Sequence, residues 1–167
     1  MAIRLINGND LIKGTPLRGN VDADNYLFII DDVQLIYLEP ILGTNLYDKL
    51  LTDYDGNTLA GLYSTLYADY VKPLMLHCTF ADYVITGAYR VENAGIFKHT
   101  PNNAENIDKS EIDFLAKTQR IKADVYIERL KKFLSDKGNE IPEYLVQLND
   151  YDETPQNNEN IIGGWFL

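Results

Sequence analysis

Pro73-Leu74-Met75-Leu76-His77-Cys78-Thr79-Phe80-Ala81-Asp82-Tyr83-Val84-Ile85-Thr86-Gly87-Ala88-Tyr89 is the stretch on which the fold turns. Its polar residues are few: His77, Thr79, Asp82 and Thr86. Proline is favoured at a first helical position, so a helix is expected from near Pro73 to about Tyr89. A helix apolar around most of its circumference has to be covered on several sides. This segment is therefore the predicted central buried helix.

The flanking sequence supplies the cover. A first helix starts near Asp22 or Asp24, either of which can cap it, and runs to about Leu38. Tyr26, Ile29, Ile30, Val33, Ile36 and Tyr37 follow the spacing of one buried face. Phe28, Leu35 and Leu38 fall off that face, and Asp31, Asp32 and Gln34 form its polar sector. Pro40 ends the helix, because proline disfavours the helical region in the residue before it. Thr44 is the predicted N-cap of a second helix through Leu51, and a third runs from Thr58 to about Tyr70. The fifth and longest starts near Ile107 or Ser110 and stops at Gly138. Its core face is Ile112, Leu115, Ala116, Ala123, Tyr126, Ile127, Leu130, Phe133 and Leu134. Arg90-Val91-Glu92 and Ile96-Phe97-Lys98 alternate in character around Asn93-Ala94-Gly95, a hairpin signal involving Val91, Gly95, Ile96 and Phe97.

The expected fold is mainly α: a helical bundle of about five helices with a protruding β-hairpin and extended terminal arms. Residues 1–20 read as an N-terminal arm with a short strand at Ile3 to Ile6, and Leu11 to Gly14 as a helical turn or extended arm. Residues 21–148 form the helical domain, with the hairpin near residues 90–99. Residues 149–167 form a C-terminal tail, in which Asn149 to Asn160 is a linker and Ile161, Ile162, Trp165, Phe166 and Leu167 an apolar anchor. A chain of 167 residues suffices for one domain with its own core.

Composition narrows the function. A net charge of −10, from 25 acids and 15 bases, disfavours a groove that grips nucleic acid through its phosphates or a contact with an anionic membrane. No apolar run approaches the roughly 20 residues needed to span a bilayer. With one cysteine, Cys78, no intrachain disulfide can form, and its apolar setting predicts a buried, inert thiol. His77 reads as a satisfied, partly buried imidazole, with no second histidine three or four residues on. Asp53-Tyr54-Asp55-Gly56-Asn57 only superficially matches a calcium loop, since its glycine falls too early and no bidentate acid follows. Asp31 with Asp32, or Asp53 with Asp55, could be imagined as a dyad, but such neighbours are ordinarily solvated. There is no glycine-rich phosphate loop. The sequence thus leads us to expect no enzyme, no cofactor and no metal site.

What stands out is surplus apolar surface. Phe114, Ile121 and Val125 form a narrow second stripe on the fifth helix, away from its core face. With Phe28 and Leu35 of the first helix they are the predicted subunit interface, and the terminal anchor and hairpin are the predicted partner-docking elements. Twelve tyrosines suit an interface protein, because Tyr joins an apolar ring to a hydrogen-bonding tip.

Several motifs carry a resemblance. They are Asn20-Val21-Asp22, Leu38-Glu39-Pro40-Ile41-Leu42-Gly43-Thr44-Asn45-Leu46-Tyr47-Asp48-Lys49-Leu50-Leu51, Val71-Lys72-Pro73, the Asn93 to Phe97 turn, and Tyr126-Ile127-Glu128-Arg129-Leu130 with Ile141-Pro142-Glu143-Tyr144. Over residues 20–144 the chain resembles the head–tail connector (adaptor or ring) proteins of tailed phages of Bacteroides-type hosts, including crAss-like phages. The resemblance implies a virion protein assembled in the host cytoplasm. It would form a homo-oligomeric ring of about twelve copies below the portal, a closed cyclic assembly. That ring would bind the portal protein and the next tail or ring protein, while DNA passes through its lumen without sequence-specific binding. The alternative is a cellular or phage adaptor that binds one protein partner without forming a ring. Deleting Ile161 to Leu167 is expected to leave the fold intact but weaken assembly. Unchanged sedimentation of the truncated protein would remove the anchor from the picture.

Overall fold

The structure is a computed structural model that describes residues 3–19, 21–87, 89–92, 95–98, 109–144 and 151–155. It is mainly helical. Helix α1 is Gly8–Gly14, opened by a capping box in which Asn7 and Asp10 each bond the other's backbone N–H. After a 3-10 turn, Ala23–Asn25, helix α2 occupies residues 27–42. Helix α3 is Thr44–Asp55, α4 occupies residues 61–87, and α5 is Lys109–Lys137. Two short segments, β1 (Tyr89–Glu92) and β2 (Gly95–Lys98), pair antiparallel, with Val91 opposite Ile96 and Arg90 opposite Phe97. Asn93 and Ala94 between them lie outside the described residues. Helix α4 packs along α5 on one side and against α2 on another, so the apolar stretch around Leu74, Met75 and Cys78 is central, as its composition requires.

Neither Pro40 nor Pro73 breaks its helix. Each follows a five-residue π turn, Gln34–Leu38 before Pro40 and Tyr67–Val71 before Pro73. Proline has no N–H, and its ring collides with the carbonyl four residues back in a regular α-helix. A π turn takes in one extra residue and redirects those carbonyls. Glu39 N–H then bonds Gln34 O, and Lys72 N–H bonds Tyr67 O, five residues back in each case. The expected stop at Pro40 is thus a continuation to Leu42, and the expected third and fourth helices are one.

The added residue also shifts the buried face by one position. Ahead of the turn, α2 buries Tyr26, Ile29, Ile30 and Val33; beyond it the buried residues are Leu38, Ile41 and Leu42. Ile36, predicted on the core face, is instead 61% exposed, while Leu38, predicted off it, is fully buried. In α4, Leu66 is followed inward by Val71, Leu74, Met75 and Cys78. Its helix starts at Gly61, not Thr58, from a glycine at φ 55°.

The N-terminus corrects another expectation. There is no strand at Ile3 to Ile6, and of the two readings for Leu11 to Gly14 the helical one holds, inside α1; Leu5, Ile6, Leu11 and Leu17 join the main core and do not form an extended arm. The two π turns hold this segment. Gln34 accepts from Leu5 N–H at 2.6 Å and donates to Ile3 O at 3.1 Å and to the Tyr47 hydroxyl at 3.2 Å. Tyr67 donates its hydroxyl proton to Leu5 O at 2.7 Å. Both polar groups of the Leu5 backbone are therefore met by the first residues of the two π turns. Arg4 adds a two-pronged contact with Asp31, 2.7 Å on each arm.

The Gly43–Thr44 corner between α2 and α3 holds a distant piece of chain. Thr44 is not the N-cap; Gly43 is, at φ 75°. Thr44 N–H donates to Glu153 O at 3.0 Å, Glu153 N–H donates to the Thr44 hydroxyl at 2.9 Å, and that hydroxyl donates to Glu39 at 2.9 Å. A free helical N–H is thus capped by backbone about a hundred residues on. A Cβ at position 43 would fall 2.6 Å from Pro155. Part of the acidic stretch read as a linker is therefore seated on the body, while the anchor residues Ile161, Ile162, Trp165, Phe166 and Leu167 lie outside the described residues.

Gln34→Leu should keep the volume of the side chain but leave the Leu5 N–H buried and unbonded. A loss of about 1–3 kcal/mol is expected, measured by urea unfolding against the wild-type protein.

Candidate assembly surface

Helix α5 has two unlike sides. Ile112, Ala116, Ala123, Ile127, Leu130 and Leu134 are buried, and Leu115, Tyr126 and Phe133 partly so. Gln119, which the apolar pattern passes over, is also buried, at 4% exposure. On the opposite side, about 180° around the helix axis, stand Phe114, Ile121 and Val125, each more than half exposed, Phe114 at 73%. On α2, Phe28, Leu35 and Ile36 are likewise more than half exposed. The structure places all five predicted interface residues at the surface of one copy. Ile36, which regular spacing puts on the core face, is exposed as well, because its outward position depends on the π turn. The hairpin candidates Val91, Gly95, Ile96 and Phe97 lie in the β1–β2 pair.

Where α2, α4 and α5 meet, Arg120 of α5 bonds Asp82 of α4 and lies over the Tyr37 ring of α2, 4.9 Å from its centroid. Burial pushes the Asp82 carboxyl up from its ordinary range, and the Arg120 charge pulls it back part of the way. Burial works to lower Arg120 as well, but Asp82 and Tyr37 outweigh it and hold the guanidinium above its ordinary value.

His77, Cys78, Asp53 and Asp31 are engaged in packing, hydrogen bonds or ion pairs. His77 is half-buried, with Nδ1 3.0 Å from Gln119 Oε1 and its ring stacked on Tyr126. Burial lowers its pKa. Cys78 is buried, and burial pushes its thiol up to about 12. A thiol so far from ionisation is a poor nucleophile. Asp53 accepts hydrogen bonds from Lys49 Nζ at 2.8 Å and from the Thr58 hydroxyl at 3.1 Å, and those bonds hold its carboxyl below the usual range. Asp31 is committed to Arg4, while Asp32 is exposed, so the two do not form a dyad. Among the described residues no group of three or more His, Cys, Asp or Glu is placed to hold a metal ion. No described helix is long and apolar enough to cross a membrane. The Thr79 hydroxyl is buried and unbonded, with no physical account in its surroundings.

A family model, "Family of unknown function (DUF6712)", matches residues 38–153, more than two thirds of the chain. The chain belongs to DUF6712. No curated protein and no solved structure matches it. The DUF6712 match runs from the inner end of the first π turn to Glu153. It therefore contains both sides of the Thr44–Glu153 contact and the whole of α5, and it leaves Phe28, Leu35 and Ile36 outside.

Arg120→Met should cost about 1–3 kcal/mol, less than for a wholly buried pair because both side chains keep some contact with water. The loss should be greatest at neutral pH. Without Arg120 the Asp82 carboxyl rises further, so the folded state carries an unpaired charge above that pKa and none below it. Unfolding curves across the acid range should show the gap to wild type narrowing as the pH falls through the Asp82 titration.

Proposed function

We propose that this DUF6712 protein is a structural virion subunit that forms a head–tail connector ring between portal and tail, with DNA passing through the lumen. The observation that carries the reading is the outer stripe Phe114–Ile121–Val125, which stands opposite a core face that is already filled. A monomer gains nothing from exposing those side chains in line, whereas covering each in an interface is worth about 1.5–3 kcal/mol. Phe28, Leu35 and Ile36 supply a second, separate patch on α2, and a cyclic assembly needs two unlike patches per subunit. The net charge of −10 supports a lumen past which DNA slides, since a negative wall repels phosphate. The resemblance of residues 20–144 to phage connectors supplies the portal and the next tail protein as partners. The β1–β2 pair, as a protruding hairpin, and the terminal Trp165-Phe166-Leu167 make the vertical contacts. No catalytic step and no cofactor enters this reading, and its place is the head–tail interface of the virion.

The test is the mass of the purified protein, alone and with its cognate portal, together with images of the complex. A ring with a central hole in either condition is expected. A one-to-one complex with a single partner would instead establish an adaptor, and a monomer under both conditions would remove the connector reading.

A further inference from the structure

Helix α5 carries a further stripe, between its buried side and the line of Phe114, Ile121 and Val125. Lys122, Tyr126, Arg129 and Phe133 recur at intervals of four and three residues, the spacing of neighbours along one helix face. Lys122 and Arg129 are exposed, and neither forms an ion pair among the described residues. Their surroundings are aromatic. The Arg129 guanidinium lies 5.3 Å from the Tyr126 ring centroid and 5.4 Å from that of Tyr70, which belongs to the second π turn. The Tyr126 ring stacks on His77, and Tyr70 packs on Phe133 with centroids 4.7 Å apart. All four rings are partly buried along the α4–α5 contact. Within residues 115–133 the acids of α5 are Asp124 and Glu128, and each lies about 100° or more around the helix from Lys122 and Arg129. Glu111 and Asp136 bound the stripe at its two ends. On α4, Asp82 is tied to Arg120, and Asp69 is exposed next to Tyr70.

We propose that this stripe binds an acidic segment of a partner protein, with one carboxylate on Arg129 and a second on Lys122. A guanidinium lying against tyrosine rings keeps its N–H edges free, and those edges match the two oxygens of a carboxylate. The rings also hold the fork in place before the partner arrives, so less freedom is lost on binding. Tyrosine and arginine are the residue types in which interface binding energy concentrates. Lys122 stands seven residues from Arg129, about 10 Å along the helix, which sets the spacing of the two carboxylates. The charge of the whole chain selects a peptide over a nucleic acid. A nucleic acid brings a phosphate at every nucleotide against a net charge of −10, and two cations do not offset that. A peptide segment brings two carboxylates and an otherwise neutral backbone. The site lies on one copy, so the inference holds with or without the ring.

The probe is an acetylated, amidated peptide, Glu-Ala-Ala-Glu, whose carboxylates stand about 10 Å apart when extended. Titration calorimetry of the full chain at low salt should give saturable binding. Arg129→Gln should weaken it about tenfold, the loss of a two-pronged charged contact. Arg129→Lys keeps the charge without the fork and should fall between the two. Lys117 is exposed on another side of α5, so Lys117→Gln removes the same charge and should leave the affinity within about twofold. Thermal unfolding of each variant checks that the fold is retained, as expected for exposed positions. No saturable binding by the wild-type protein would overturn the proposal. Equal weakening by Lys117→Gln would reduce the effect to bulk charge and overturn it too. Tighter binding of an eight-nucleotide oligothymidylate than of the peptide would assign the stripe to nucleic acid instead.

Discussion

A proline inside a helix has to be accommodated, and this fold accommodates two of them in the same way. Pro40 and Pro73 each sit two residues beyond a π turn, so the helix passes through the proline and does not end at it. Over one turn the bonds reach five residues back in place of four, and the consequence is a shift of phase. Downstream of each turn a different set of side chains faces the core, and Leu38 and Val71 become fully buried. Within the first turn Ile36 is carried outward, beside Leu35, which regular spacing already places there. The surface proposed to meet a neighbour on α2 is thus partly a product of Pro40.

The same turns organise the N-terminus. A π turn spreads the backbone, and the first residue of each, Gln34 and Tyr67, directs its side chain at one peptide unit. Gln34 accepts a hydrogen bond from the Leu5 N–H and Tyr67 donates one to the Leu5 carbonyl. A segment with no strand partner thereby satisfies its buried polar groups, which it must do if Leu5 and Ile6 are to be fully enclosed. Gln34 is an amide, so it can donate and accept at once, and a Leu or Glu of similar length could not serve both Ile3 and Leu5.

These features mark what a sequence can and cannot show. The central helix, the core face of α5 and the outlying Phe114, Ile121 and Val125 follow from spacing alone, because a regular α-helix keeps one phase over many residues. Spacing fails at Pro40, since an inserted residue leaves no trace in composition and only the geometry reveals it. It fails again at Gln34 and Gln119. Polar residues at helical spacing read as solvent-facing, yet each is buried because a partner from another part of the chain meets it: Leu5 in one case, His77 in the other. Thr44 shows the limit of local reasoning about caps. Its spacing fits an N-cap, but the group that takes its N–H comes from Glu153, and no local rule reaches that far.

Three carboxylates tie the helices and the N-terminal segment together. Asp31, Asp53 and Asp82 are the partly or wholly buried acids best placed to act as proton carriers, and each is held by one cation: Arg4, Lys49 and Arg120 respectively. In every case the pair joins separate segments or consecutive turns, so the charge is used to fix position. A general base works when its proton-accepting oxygen faces a cleft and its pKa is poised near neutrality. Here the acids face their own tie, and the thiol of Cys78 and ring of His77 are turned into the packing. Phe28, Leu35, Ile36, Phe114, Ile121 and Val125 are exposed beyond these ties, and the proposed binding to another protein surface would use them with no change to the ion pairs that hold the subunit in shape.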